Sequence, residues 1–209
     1  MRGHPPGRTG QIPTGPALVL LVILTAAFHL AGDLYAETRF REDFSTLKAW
    51  EPLKFPGISK MTLYSIEQSG DGSTFLRAES DSSASAVVWK GTFDVYEFPR
   101  LKWRWKIRNV YAGGDTRSKG GDDCPIRIDV MFRYDPEDPA VKRNLKYSLA
   151  KLLYGRYPPY SMLNYFWANR ELGVRYLESA YMDRTIMVPL QEGETNIGRW
   201  VEEEVDILG

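Results

Sequence analysis

The chain has 209 residues, with 27 basic and 27 acidic side chains and hydrophobic residues making up 43%. This balance is typical of a folded globular protein and argues against a disordered chain or a basic nucleic-acid-binding protein. Aromatic residues account for 13%, which suits either β-rich packing or a ring-stacking site for sugars. The length leaves room for one domain with a sizeable core after a short leader.

The N-terminus has the pattern of a secretory signal peptide. Arg2 and Arg8 precede an apolar run over residues 17–31, and small residues offer a cleavage site after Ala36. The run is shorter than a membrane-spanning helix requires, so a retained anchor is the less favoured alternative. We therefore expect residues 1–36 to be a signal peptide, and the protein to be exported to the periplasm with no stable membrane span after cleavage.

Short alternating segments predict strands in the first half of the chain. Residues 38–44 alternate weakly and predict a first strand. Residues 61–67 and 74–80 alternate on either side of a Gly-Asp-Gly turn at 70–72 and predict a hairpin, and residues 84–90 predict a further strand. Strands at this spacing, with turn residues between them, indicate a sandwich or a barrel.

Two segments in the middle of the chain alternate most clearly. Residues 101–108 and 125–133 flank a polar, glycine-rich loop over residues 111–124. Because successive side chains of a strand point to opposite faces, we expect these segments to pair as an antiparallel hairpin with one apolar and one charged face. The predicted apolar face consists of Leu101, Trp103, Trp105, Ile107, Ile126, Ile128, Val130 and Phe132.

The pattern then changes to a helical period. Aspartate and proline pairs near residue 135 offer an N-cap and a first turn, and apolar residues recur at helical spacing up to Gly155. This predicts one amphipathic helix. Residues 163–170 and 184–190 predict further strands, and residues 200–207 predict a strand that could run into a helix.

A first group of candidate site residues lies where the glycine-rich loop meets the next strand. Asp122 and Asp123 end the loop, and Arg127 and Asp129 share the charged face that follows. Such carboxylates can coordinate calcium through oxygen or act as an acid and base pair on a glycoside. In the structural alternative, the paired aspartates cap the loop while Arg127 and Asp129 form ion pairs across the hairpin. The partner in such a pair would be Lys106 or Arg108.

A second group of candidates is Asn164, Trp167, Asn169 and Arg170. A tryptophan with two amides and a guanidinium can stack on a sugar ring and hydrogen-bond its hydroxyls. Alternation equally places Trp167 on a core face, and Asn169 and Arg170 can instead stabilise the turn before Gly173.

Most catalytic and metal-binding arrangements are hard to build from this chain. His4 and His29 are the only histidines and both lie in the predicted signal peptide, which removes histidine triads and histidine-ligated metals. Cys124 is the only cysteine, so it has no disulfide partner within the chain. Because both histidines lie in the predicted signal peptide, Cys124 also has no histidine to activate it. Carboxylate chemistry is what remains, and we expect no cofactor and no metal.

Five further pieces of sequence resemble one bacterial family. They are Pro99 to Lys106, Gly121 to Phe132, Leu163 to Arg170, Asp183 to Met187 and Trp200 to Glu204. In their order and spacing the chain resembles the domain-of-unknown-function family numbered 3047. This resemblance implies an exported protein with an antiparallel jelly-roll sandwich, similar in outline to galactose-binding-like carbohydrate domains, and implies no established activity. It also implies further strands after the acidic Trp-Val-Glu-Glu segment. We therefore expect residues 37–209 to be a single sandwich domain that lacks its C-terminal strands.

Three functions fit these observations. The leading hypothesis is a non-catalytic periplasmic β-sandwich that binds a glycan or another envelope component. The alternatives are a carboxylate-dependent glycan hydrolase or lyase, and a structural envelope protein without a small ligand. The sequence predicts no nucleic-acid partner and indicates no oligomeric state. The predicted ligand-binding residues are Asp122, Asp123, Arg127, Asn164, Trp167, Asn169 and Arg170.

Overall fold

The computed structural model describes residues 38–133 and 159–209, and these residues form a mainly β structure of ten strands. The contacts divide the chain into two compact units, residues 1–93 and 94–209. The strands are β1 Trp50–Lys54, β2 Leu63–Gln68, β3 Thr74–Glu79, β4 Ser85–Trp89, β5 Arg100–Trp105, β6 Arg127–Phe132, β7 Ser161–Ala168, β8 Leu177–Glu178, β9 Thr185–Glu192 and β10 Val201–Asp206.

The described part of the first unit consists of two antiparallel strand pairs. Strands β2 and β3 form the hairpin predicted from the Gly-Asp-Gly turn, in which Gly72 takes a φ of +84° and Asp71 Oδ1 accepts a hydrogen bond from Ser73 N at 2.9 Å. Strand β4 is also confirmed, and it pairs with β1, whose residues we had not predicted as a strand.

The predicted strand over residues 38–44 is wrong, because local side chains hold this segment in turns. Glu42 Oε1 accepts a hydrogen bond from Phe44 N, and Asp43 Oδ1 accepts one from Ser45 N. Phe44 takes a φ of 55°, which a strand does not allow. Acidic side chains that bond the backbone two residues on compete with strand pairing and favour turns.

The second unit contains a two-stranded ribbon, β5 with β10, and a four-stranded sheet in the order β6-β7-β9-β8. The pairing of β7 with β9 is parallel, so the expectation of a wholly antiparallel fold is wrong at this pair. Parallel neighbours need a crossover connection, and residues 169–184, which include β8, provide it.

The predicted hairpin of residues 101–108 with 125–133 is also wrong in its pairing. Both strands exist, but β5 pairs with β10 and β6 pairs with β7. The predicted apolar face is nevertheless largely correct, because Trp103, Ile126 and Ile128 contribute to a single apolar cluster. The apolar side chains of β5 and β6 therefore meet in one core although the two strands are not neighbours in a sheet.

Aromatic contacts hold the ribbon against the four-stranded sheet. The rings of Trp103 and Tyr165 lie 5.7 Å apart, and those of Trp105 and Trp167 lie 6.0 Å apart, each pair being tilted. The Trp105 and Trp167 side chains are buried, and the Trp167 Nε1 donates to Gly193 O at 3.0 Å. Large rings buried in tilted contact contribute strongly to a core of this size.

Strand β7 is buried on both faces from Asn164 to Ala168. Tyr165 and Trp167 point towards the ribbon, while Phe166 and Ala168 belong to a second apolar cluster with Leu172. Alternation along one central strand therefore gives the sheet a ribbon-facing side and an opposite side. The opposite side carries the candidate site.

The remaining predictions from the sequence have different outcomes. The signal peptide over residues 1–36 and the amphipathic helix ending at Gly155 lie outside the described residues. The described ranges hold no helix of the length and hydropathy that a membrane span requires. The strands predicted from residues 163–170, 184–190 and 200–207 are confirmed as β7, β9 and β10. The single domain over residues 37–209 and its missing C-terminal strands stay predictions.

Replacing Trp167 with alanine should destabilise the protein by about 3–5 kcal/mol, since it leaves a cavity between the ribbon and the sheet. Urea unfolding followed by circular dichroism measures this change. Tyr96→Ala serves as a control, because Tyr96 is strongly exposed in the same unit, and we expect a change within about 0.5 kcal/mol. Equal effects of the two substitutions would contradict the assignment of Trp167 to the core.

Candidate functional site

The glycine-rich segment over residues 111–124, called here the polar loop, is tied to the end of β7 by one amide side chain. Asn169 Oδ1 accepts a hydrogen bond from Tyr111 N at 2.7 Å, and Asn169 Nδ2 donates to Asp123 O. One side chain therefore bonds both ends of the loop. Asn169 is in position to do this because it directly follows the last residue of β7.

Arg170 makes a second tie to the polar loop. Its Nη2 donates to Gly114 O at 3.0 Å, and its Nη1 lies 4.0 Å from Asp115 Oδ2. Asp115 also accepts two hydrogen bonds from the side chain of Arg117. The Arg117 bonds, assisted by the charge of Arg170, hold the pKa of Asp115 well below its ordinary value. Asp115 is therefore a carboxylate neutralised within the loop.

Two of the loop glycines are required by close approach. A Cβ on Gly114 would collide with Asn169 Nδ2 and would lie 2.6 Å from Asp123 O. A Cβ on Gly121 would lie 2.8 Å from Asp115 N. A Cβ added to the neighbouring Gly113 or Gly120 would meet nothing within 4 Å. The loop therefore folds tightly on itself and on Asn169.

A charged corner forms where the polar loop enters β6, and it consists of Asp122, Cys124 and Arg127. Arg127 Nη2 donates to Asp122 O at 2.9 Å and to Asp122 Oδ1 at 3.3 Å, and Arg127 Nε donates to Cys124 Sγ at 3.1 Å. The Asp122 side chain is only 9% exposed, whereas that of Arg127 is 31% exposed. The Arg127 side chain is therefore partly exposed, while that of Asp122 lies deeper.

Burial has the largest effect on the pKa values of the three side chains in this corner. Burial raises the pKa of Asp122 and of the Cys124 thiol above their ordinary values, although the charge of Arg127 opposes both shifts. Burial disfavours the charge of Arg127, but the neighbouring Cys124 and Asp122 outweigh it, so the pKa of the guanidinium is raised. Arg127 is therefore a permanent cation, and Cys124 is a neutral thiol near neutral pH.

A second polar pair lies further along the same sheet face. Asp129 and Asn164 are opposite each other in the β6–β7 register, and Asn164 Nδ2 donates to Asp129 Oδ1. Burial raises the pKa of Asp129, while the Asn164 bond and Arg127 oppose the shift. Asn164 is 1% exposed, and its Oδ1 is one of the buried side-chain atoms in the described ranges that lack a hydrogen-bond partner. The other such atoms are Trp103 Nε1, Thr116 Oγ1 and Thr185 Oγ1.

The crossover between β7 and β9 meets the polar loop at Tyr181. The Tyr181 hydroxyl donates to the carbonyl of Lys119, in the 3-10 turn Lys119–Gly121 that precedes Asp122. The Tyr181 ring is itself 61% exposed. An aromatic face is thus held at the rim of the loop and remains open to solvent.

The structure separates the predicted site residues into three groups. Asp122 and Arg127 pair in the corner, and Asp123 is exposed next to them. Asn169 and Arg170 bind the polar loop through its backbone, so the expectation that they only stabilise the turn before Gly173 is wrong.

Asn164 and Trp167 lie inside the sheet. Trp167 is 0% exposed, so the alternative that it belongs to the core is confirmed and its ring has no free face for a sugar. The ion pairs predicted with Lys106 or Arg108 are wrong, and Arg127, itself a cation, could not have paired with either. Arg127 bonds Asp122 instead, and Asp129 bonds Asn164. The reason is that β6 lies beside β7 and not beside β5.

Sequence reasoning missed Asp115 and Tyr181 as contributors to this region. Asp115 followed by Arg117 within a glycine-rich loop is a pattern that could have indicated a local ion pair. Nothing in the sequence around Tyr181 indicated that its hydroxyl meets a carbonyl 62 positions away. Among the residues that the structure describes, no three His, Cys, Asp or Glu side chains group closely enough to hold a metal ion.

The fold and the site together define a mainly β protein in which a polar loop is tied to the end of a central buried strand. A family model described as "Protein of unknown function (DUF3047)" matches residues 48–209, and the chain belongs to this family. The resemblance seen in the sequence is thereby confirmed. No curated protein and no solved structure matches the chain.

Replacing Gly114 with alanine should destabilise the protein by about 1–3 kcal/mol, because the added methyl group displaces Asn169 or the Asp123 carbonyl. Gly113→Ala is the matched control, since its methyl group enters open space, and we expect a change within about 0.5 kcal/mol. Chemical unfolding of both variants measures the difference. Similar stabilities for the two would show that Asn169 does not hold the loop as described.

The raised pKa of Asp129 predicts a specific pH dependence of stability. A carboxyl whose folded pKa lies above its unfolded value favours the folded state most at low pH, and this contribution is lost as pH rises through the folded pKa. As the pH rises above about 4, the ordinary pKa of an aspartate, Asp129→Asn should therefore lose less stability than the parent protein. Unfolding curves across that range test this, with exposed Asp123→Asn as the control. Parallel pH profiles for Asp129→Asn and the parent would contradict it.

Proposed function

We propose that this protein is a non-catalytic, exported β-sandwich protein that binds a glycan or another component of the cell envelope at the rim of the polar loop. The observation that carries the proposal is the Tyr181 ring, which is exposed yet fixed through its hydroxyl to the Lys119 carbonyl. Proteins commonly bind sugars by stacking an aromatic ring on the apolar face of the pyranose. A ring held in place loses little entropy on binding.

Polar groups where the loop enters β6 supply hydrogen bonds of the kind that a sugar needs. Asp123 is exposed and can accept bonds from hydroxyl groups, and the Arg127 guanidinium can donate to ring or hydroxyl oxygens. In this proposal Asn169 and Arg170 position the loop. Asn164 and Trp167 act indirectly, through the sheet on which the loop rests.

The export of the protein belongs to the same proposal. Its support is the basic start, the apolar run over residues 17–31 and the small residues ending at Ala36. With Cys124 as its only cysteine, the protein needs no disulfide formation after export. Osmotic-shock fractionation of a bacterial host should release a chain shortened at its N-terminus, and recovery of an uncleaved chain with the membranes would favour the retained anchor.

Binding is tested by presenting the purified protein to an array of envelope polysaccharides and peptidoglycan fragments. Tyr181→Ala should weaken binding about tenfold, which corresponds to a loss of about 1.4 kcal/mol of stacking. Tyr96→Ala is the control, because Tyr96 is a still more exposed tyrosine in the same unit (81% against 61%), and it should leave binding unchanged. If the protein binds no glycan on the array, or if Tyr181→Ala binds as well as the parent protein, a structural envelope protein without a small ligand is favoured.

A second candidate function is a carboxylate-dependent glycan hydrolase or lyase. The observation in its favour is that burial raises the pKa of both Asp122 and Asp129 on the sheet face that carries Arg127. A carboxyl with a raised pKa can keep its proton for use as a general acid. Release of reducing ends from polysaccharide that is abolished by Asp122→Asn would support this function over simple binding.

A further inference from the structure

The crossover between β7 and β9 contains a segment, residues 173–184, that is called here the strap. Gly173 takes a φ of +68° and Arg184 a φ of 60°, so both ends of the strap are in the left-handed region. Immediately outside these ends, Leu172 and Thr185 are buried. The strap therefore begins and ends at a sharp backbone turn next to a fixed point, which is the usual arrangement at hinges.

The two ends of the strap are anchored differently. Arg184 O accepts a hydrogen bond from Met162 N at 3.0 Å, and the Arg184 guanidinium lies 4.4 Å from the centre of the Tyr160 ring. These contacts fix the Arg184 end to β7. A Cβ added to Gly173 would meet nothing within 4 Å, and glycine has no side chain to restrict its backbone. Rotation is therefore easier at the Gly173 end.

The middle of the strap is held by few contacts. Its only strand, β8, is two residues long and pairs with the edge of β9. Most of its side chains are exposed, including Val174, Tyr176 and Met182. Segments with little buried apolar surface and short edge pairing open at low free-energy cost.

Two contacts connect the strap to the region of the charged corner. Leu177 packs against the apolar cluster of Phe166 and Met187, which Cys124 also contacts. Tyr181 donates its hydroxyl hydrogen bond to Lys119 O, three positions before Asp122. The strap thus packs against the same apolar cluster as Cys124, and the Tyr181 hydrogen bond joins it to the polar loop at Lys119.

We propose that the strap is a hinged cover, latched by Tyr181, that regulates access to the charged corner of Asp122, Cys124 and Arg127. When the latch opens, the strap rotates about Gly173 and exposes the side chains behind Leu177. In the closed state the Arg127 side chain is 31% exposed and that of Asp122 is 9% exposed. In the proposed function the glycan stacks on the Tyr181 ring of the closed state, and the opening of the strap is a separate step that does not depend on that function.

The single cysteine provides a direct reporter of this opening, since Cys124 contacts the same apolar cluster as Leu177. Tyr181→Phe removes the latch hydroxyl but keeps the ring. Loss of one hydrogen bond should make a maleimide label Cys124 about fivefold faster without any ligand present. Tyr176→Phe, an exposed tyrosine on the same strap, is the matched control and should label at the parent rate.

Hydrogen exchange separates local opening from general destabilisation. In Tyr181→Phe the backbone amides of the strap should exchange about fivefold faster, while those of β5 keep the parent rate. Unchanged labelling and unchanged strap exchange would overturn the proposal, and so would equal acceleration of the strap and β5. Tyr181→Ala removes both the ring and the latch, whereas Tyr181→Phe removes the latch alone. Glycan binding that is lost in Tyr181→Ala but kept in Tyr181→Phe reports on the ring, and faster labelling in Tyr181→Phe reports on the latch.

Discussion

The arrangement of the second unit depends on the packing of Trp103 and Trp105 against Tyr165 and Trp167. Once alternate residues of β7 face the ribbon, the residues between them must face the other way. Asn164 is therefore buried on the opposite face, beside Asp129. The strand that provides the core thus also determines where the polar groups of the candidate site lie.

The polar loop shows how a site can be assembled from backbone groups as much as from side chains. Asn169 and Arg170 bind peptide groups at Tyr111, Gly114 and Asp123, and Arg170 also lies 4.0 Å from the Asp115 carboxylate. The bond to the backbone carbonyl of Asp123 helps to define the shape of the loop and leaves the Asp123 side chain exposed.

The sequence could reveal which face each strand buries, but it revealed which strands are neighbours only where a tight turn joins them, as in the β2–β3 hairpin. Alternation correctly grouped Trp103 with Ile126 and Ile128, because a period of two is a local property of each strand. Pairing of β5 with β10 depends on the whole chain, and no local pattern encodes it. For the same reason Asp122 and Arg127, five residues apart, could be predicted as a site, whereas the contact of Tyr181 with the loop could not.

The pairing of β5 with β10 also has a consequence for how the chain folds. Trp105 and Glu203 are 98 positions apart, yet the Trp105 indole donates to the Glu203 carboxylate at 3.2 Å. Contacts between residues so distant in the chain close large loops and slow the search for the native topology. During synthesis the tryptophans of β5 are made long before β10, the strand with which β5 pairs. Apolar strands that stay exposed in this way are prone to aggregation. The apolar strand β5 therefore lacks its partner until β10 has been made.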